Sequence, residues 1–256
     1  MALLLFLGSA TSWSAPAPKS VYEIHPLLDG AILGSTLLTN AIATAQASRW
    51  IKPSCPCDPN EVNAFDRHVI GNNSSFTNTV SDVTVGLSVL APIALDWKDQ
   101  GSSHEFLEDA LVYAETLSVS GALVTVAKYT AQRPLPVVYA GQAPELNDQP
   151  GGYRSFYSGH TTLAFSALSA ASMTLNLRYH LGAWPWIVTG AIGTSVAIER
   201  VLAGRHFYTD VIVGALMGTG VGILVPYFHA REASSKESLR ILPAEDGLKL
   251  SFTKRF

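Results

Sequence analysis

Residues 200–228 read RVLAGRHFYTDVIVGALMGTGVGILVPYF, and the two parts of that stretch obey different chemistry. The first part, Arg200 to Asp210, packs two arginines, a histidine and an aspartate into eleven residues. The second part, Val211 to Phe228, carries no charge in eighteen residues. Its Val, Leu, Ala and Gly lack the strict alternation of a strand, so length and composition predict a helix. A run of that length approaches the ~20 residues that cross a bilayer.

Working outward, five more apolar segments stand near residues 27–48, 80–95, 110–127, 160–177 and 181–198. The expected architecture is therefore all-α, a six-helix bundle with long loops between helices. Charged residues are 14 % of the 256-residue chain, against roughly 25 % in an ordinary soluble domain, and the mean hydropathy is +0.22. A net charge of -3 speaks against a nucleic-acid partner, which would need a basic face. Two environments fit: a six-span membrane bundle, or a soluble domain whose helices are buried on most sides. The loop WKDQGSSHEFLED, residues 97–109, is mainly acidic and gives no positive-inside signal.

The chain divides into residues 1–15, read as an export signal; 16–79, an N-terminal helix and a Cys/Pro-containing loop; 80–228, the helical core; and 229–256, a polar tail with a strand-like end. Cys55 and Cys57 sit in the Pro-rich loop. They read as two thiols or a strained local bridge, because a one-residue gap closes a tight ring and a metal site needs more ligands than this segment offers.

If the last four helices alternate in direction, their polar ends meet at one pole. That pole collects Lys128 and Arg133, then Ser158, Gly159 and His160, then Arg200, then His206 and Asp210. Arginine presents a planar fork to phosphate oxygens and lysine a point charge. Ser158 and Gly159 stand just before an apolar helix, where free backbone N–H groups hold anions. His206 and Asp210 are four apart and share a helix face, so a carboxylate can fix the tautomer and leave the other imidazole nitrogen free to attack. His160, on a different helix, can protonate a leaving oxygen. No cluster of carboxylates surrounds these residues, and a two-metal mechanism is poorly supported.

These residues match a family pattern. ERVLAGRHFYTD gives Arg200, His206 and Asp210 at the spacing of the third motif of the type 2 phosphatidic acid phosphatases, with Glu199 in place of Ser. YSGH keeps Ser158, Gly159 and His160 of the second motif, with Tyr157 in place of Pro. KYTAQRPLP keeps Lys128 of the first motif, but Leu135 stands at its Arg position, and Arg133 lies two residues earlier. Over roughly residues 80–228 the chain resembles that family, which shares its fold with vanadium haloperoxidases and bacterial class A acid phosphatases.

The resemblance implies a six-helix bundle of that kind and metal-independent hydrolysis of a phosphomonoester, a lipid phosphate or pyrophosphate. By it His206 is the nucleophile that forms a phosphohistidine, Asp210 its orienting partner and His160 the general acid and base. Lys128, Arg200, Ser158 and Gly159 are the phosphate cradle, with Arg133 a substitute for the missing motif arginine, while Arg205 is a loop charge near the entrance. No cofactor is implied, and vanadate is expected to inhibit. The alternatives are a vanadate-dependent haloperoxidase, in which vanadate is the cofactor, and a catalytically weakened phospholipid-binding membrane protein, motivated by Leu135. Expected partners are a phosphorylated lipid or small phosphate ester and a membrane, with oligomeric state open. The expected location is a bacterial envelope, exported or membrane-embedded with the site facing the periplasm, or soluble in the periplasm.

Overall fold

The computed structural model describes residues 20–55 and 57–231, and the backbone of 238–244 and 247–253. The export-signal reading of residues 1–15 lies outside the described residues. Six long helices appear, one for each apolar segment: α1 (Pro26–Ala45), α2 (Ser75–Gln100), α3 (His104–Ala131), α4 (Gly159–Tyr179), α5 (Trp184–Leu202) and α6 (Tyr208–His229). The tail forms an antiparallel hairpin of β1 (Ser238–Ala244) and β2 (Gly247–Thr253), paired from Ser238↔Thr253 to Ala244↔Gly247. This adds a strand pair to an otherwise helical architecture.

Capping chemistry sets the helix starts. Ser74, Ser103 and Ser158 each accept the N–H three residues on with their side-chain oxygen, satisfying a donor that the helix itself cannot pair. The Ser74 cap is why α2 begins five residues before the apolar run does. Gly101, with φ 64°, ends α2 in a backbone conformation that suits glycine.

α4 lies in the middle and touches α2, α3, α5 and α6. Its closest neighbour is α6, where Gly214, Gly218 and Gly222 recur every four residues along one face. A Cβ at Gly218 would stand 2.4 Å from the carbonyl oxygen of Thr162, and one at Gly222 2.6 Å from that of Ser166. The two backbones therefore touch with no side chain between them, as small-residue repeats permit.

Among the described residues, four stretches are long and apolar enough to cross a membrane: Pro26–Ala45, Ser75–Gln100, His104–Tyr139 and Tyr208–His229, with mean hydropathy from 1.3 to 1.9. α4 and α5, richer in Ser, Thr and Gly, are not among them. The outward faces carry Leu27, Phe76, Leu95, Leu216 and Phe228, all exposed, and α5 adds Trp184 and Ile187. So much large apolar surface, spread over several helices, is the surface of a membrane protein.

The long loops gather at the pole where α3 and α5 end and α4 and α6 begin. The N–H of Leu135 donates to Gly152 and that of Val137 to Gly204. Gly204, with φ 64°, lies so close to Asn72 that a Cβ would stand 2.0 Å from its carbonyl oxygen. Cys55 and Cys57 are bonded as a disulfide, and the Cys55 N–H donates to the Tyr153 hydroxyl at 3.2 Å.

Candidate active site

At that pole a cavity of about 440 Å³ opens between the helix ends. α2 contributes Asn78 and Asp82, α3 Lys128, α4 Gly159 and His160, and α5 Arg200. The loops contribute Leu135, Gly151, Arg154, Arg205 and His206. Of the residues expected from sequence, Lys128, Gly159, His160, Arg200 and His206 are thus brought to one wall-to-wall space.

His206 is buried, and its Nδ1 lies 2.7 Å from the carbonyl oxygen of Ser155. A carbonyl only accepts, so Nδ1 carries the proton and Nε2 keeps its lone pair. Burial pushes the imidazole pKa down from 6.5 to about 3; the Asp210 carboxylate opposes this, and Lys128 and Arg200 add to it. The ring is neutral at physiological pH.

The direct His206–Asp210 contact expected from helical spacing does not form. Asp210 Oδ2 is 3.9 Å from Nδ1, beyond a hydrogen bond. That oxygen instead accepts from the Ser155 hydroxyl and from the Phe207 N–H at 2.9 Å. Asp210 therefore closes the start of α6 and holds Ser155, whose carbonyl in turn holds His206.

Arg133 does not join the cavity as the phosphate-binding substitute. Its guanidinium donates to Asp210 Oδ1 at 2.7 Å and to Asp66 Oδ2 at 2.8 Å, and it covers the Phe207 ring at 4.0 Å. Both carboxylates are fully buried, and they claim the fork that the sequence reading assigned to phosphate. Asp66, from the N-terminal loop, also accepts from the Thr209 N–H at 3.0 Å and its hydroxyl at 2.6 Å. Burial would raise the Asp66 pKa, but these bonds, with Arg133 and Asn63, hold it below its usual value.

Ser158 is a second correction. It is buried outside the cavity lining, its N–H donates to the Asp210 carbonyl at 3.1 Å, and its hydroxyl caps α4. The open donors are one step further on: the N–H groups of Gly159 and His160 have no hydrogen-bond partner among the described residues. An α-helix start of this kind accepts an anion.

His160 Nε2 lies 2.7 Å from Asp82 Oδ1. Arg200 donates to Asn78 Oδ1 and Ser81 Oγ, each at 3.0 Å, and its Nε has no partner. Lys128 Nζ donates to the Arg154 carbonyl. Arg154 donates to the Tyr129 hydroxyl at 2.8 Å, and its buried Nε has no partner. The sequence reading missed Asp82, Asn78 and Arg154 and set Arg205 aside. Arg154 had one visible signal, its place four residues before Ser158 in YRSFYSGH.

The cavity thus sets an imidazole with a bare nitrogen among four cations, one of which, Arg200, also pairs with Asp82 at 3.8 Å. The family model that describes the PAP2 superfamily matches residues 109–234. Over that segment, just under half of the chain, the sequence is similar to the PAP2 superfamily. A PA-phosphatase related-family protein of Dictyostelium discoideum is 26 % identical over 182 residues, 65 % of this chain and 67 % of that protein. The crystal structure of Aquifex aeolicus LpxE is 21 % identical, covering 62 % of this chain and 90 % of that one, with a TM-score of 0.43. A transmembrane PAP2-type phosphatidylglycerolphosphate phosphatase from Bacillus subtilis is 20 % identical, covering 78 % and 94 %, with a TM-score of 0.46.

Proposed function

We propose that the chain hydrolyses the terminal phosphate of a lipid phosphate or pyrophosphate through a phosphohistidine on His206. The observation that carries the reading is the Ser155 carbonyl on Nδ1, which leaves Nε2 as a neutral nucleophile in a cavity lined by Lys128, Arg154, Arg200 and Arg205. Nε2 attacks phosphorus, the bond to the leaving oxygen breaks, and His160 supplies that oxygen's proton. Water then attacks the phosphorus–nitrogen bond, His160 takes the water's proton, and phosphate leaves as His206 is restored. The cations and the Gly159 and His160 N–H groups stabilise the charge that builds on the phosphoryl oxygens. Asp82 orients His160, and Asp210 acts on His206 through Ser155.

Arg154 takes the part that the first-motif arginine would play. Leu135 stands at that motif position and lines the same cavity, so a guanidinium from the second long loop substitutes for one from the first. This favours turnover over the weakened phospholipid-binding reading. A lipid substrate fits the apolar faces of the helices that frame the cavity. The Cys55–Cys57 disulfide lies at the cavity pole through its bond to Tyr153, which supports a site facing an oxidising compartment outside the cytosol.

The test is phosphate release, without added metal, from phosphatidic acid, undecaprenyl pyrophosphate and a soluble ester. Release from at least one lipid, inhibited by vanadate and lost in His206→Ala, is the expected result. Release that survives His206→Ala removes the mechanism, and release from the soluble ester alone removes the lipid.

A further inference from the structure

At the opposite pole, three buried side chains from three helices meet: Asp29 in the first turn of α1, Glu115 of α3, and His229, the last residue of α6. They are 1 %, 2 % and 7 % exposed, so bulk solvent does not reach them. His229 Nδ1 lies 2.8 Å from the Val225 carbonyl oxygen. As at His206, that pairing puts the proton on Nδ1 and turns Nε2 towards whatever lies beyond.

What lies beyond is two carboxylate oxygens. Asp29 Oδ1 is 3.4 Å from Nε2 and Glu115 Oε2 is 3.6 Å from it. Neither oxygen has a hydrogen-bond partner among the described residues, and the ion pairs of both carboxylates there are to His229 alone. The second oxygen of Asp29, by contrast, accepts the His25 N–H at 2.8 Å. All three facing atoms lie within 4.8 Å of one another.

Three electron-rich atoms turned inward on a dry point repel one another unless a positive charge sits among them. A proton on Nε2 would balance one carboxylate of two, and the separations exceed the ~2.7–2.9 Å of a charge-assisted N–H···O bond. They agree with the edges of a coordination tetrahedron, since ligands about 2.0–2.2 Å from zinc stand about 3.3–3.6 Å apart. A backbone carbonyl on the remote ring nitrogen is the outer contact that metal-binding histidines make. A dication would also cancel both carboxylates. One imidazole and two carboxylates, filling three of the four positions, suit zinc among the common divalent ions.

We propose that Asp29, Glu115 and His229 bind one zinc-type divalent cation that ties α1 and α3 to the end of α6. The site is structural, stands apart from the phosphate cavity and does not rest on the phosphatase reading. It sits where the flanking segments also meet: the Glu23 N–H donates to the His229 carbonyl at 2.7 Å, and the Arg231 N–H to Val21 at 2.9 Å.

The test uses the full chain in detergent, stripped with a chelator and titrated with Zn²⁺ alone at neutral pH, followed by calorimetry and thermal unfolding. The expected result is one saturable equivalent and a rise in Tm in the wild type. Glu115→Gln and His229→Gln should each weaken binding by more than about 100-fold, beyond what loss of an outer contact brings. No saturable binding by the wild type, or undiminished binding by both folded variants, overturns the proposal. Should a variant fail to fold, X-ray absorption of the zinc-loaded wild type decides. A shell of imidazole nitrogen and carboxylate oxygen supports the site, and a shell containing sulfur, from Cys55 and Cys57, overturns it.

Discussion

The two poles of the bundle handle buried charge in opposite ways. Around the cavity, Lys128, Arg154, Arg200 and Arg205 face a single carboxylate, Asp82. At the other pole Asp29, Asp96, Glu108, Asp109 and Glu115 outnumber Arg178 and Arg231. The partners differ as much as the counts. Arg178 is held by the carboxylates of Asp96 and Asp109, so its charge is spent inside the protein. Lys128 leans on a backbone carbonyl and Arg154 on a phenol, while Arg200 donates to an amide and a hydroxyl and pairs only at 3.8 Å with the half-exposed Asp82. The neutral acceptors of Lys128 and Arg154 fix those groups in place without cancelling them, and their charge remains available to an incoming anion. The same criterion sorts Arg133 from Arg154. Both arginines lie at the cavity pole, but Arg133 is cancelled by Asp66 and Asp210 and is a positioning residue.

That contrast can be broken in graded steps. The largest effect is expected at His206: His206→Ala should lower phosphate release by about 10³-fold or more, read as steady-state turnover with Tm as the control for folding. Next, Arg133→Ala strands two buried carboxylates and should cost about 3–5 kcal/mol of stability, measured by chemical unfolding in detergent. If that variant instead keeps its stability and raises KM, Arg133 belongs with the cavity cations after all.

Arg154→Ala should behave in reverse. Loss of one charge-assisted contact of about 1.5–3 kcal/mol lowers kcat/KM by roughly 10–150-fold, with Tm little changed. Adding Leu135→Arg to it should restore part of the rate, and a lack of any recovery would separate the two positions.

The smallest effect concerns pH. The pKa of His206 is 6.5 when unfolded and about 3 when folded, so below pH 6.5 the unfolded chain binds the extra proton. Stability contributed by the neutral ring is complete above 6.5 and is lost as pH falls towards 3. Between pH 6.5 and 5.5 the wild type should lose about 1 kcal/mol more than His206→Gln; parallel curves would mean the folded-state imidazole is not depressed.

Much of this arrangement was legible before any coordinates. Six long apolar runs, three of them uncharged, marked the six helices, because they lack the alternation of strands. The spacing of Arg200, His206 and Asp210, with YSGH, located the cavity pole. What escaped had identifiable causes. Asp66, Asp82 and Arg154 arrive from segments distant in sequence, and no spacing rule links them to His206. The His206–Asp210 pair looked like a direct contact because i,i+4 side chains share a face. The start of α6 had a competing demand, however, and the Phe207 N–H claimed the carboxylate. Ser158 was spent in the same way, as a cap. The low hydropathy of α4 comes from Ser and Thr that face its neighbours, including Ser166, Ser169 and Ser172, all buried.

The glycine contact between α4 and α6 has a mechanical corollary. His160 rides on the first turn of α4, and His206 is anchored immediately before α6, so backbone contact at Gly218 and Gly222 makes the two imidazoles tips of one stiff fork. A fork that cannot spread leaves any widening of the cavity to the α2 side. Asp82 reaches across from there on a single carboxylate, so any shift of α2 is felt first at the His160 imidazole that it holds.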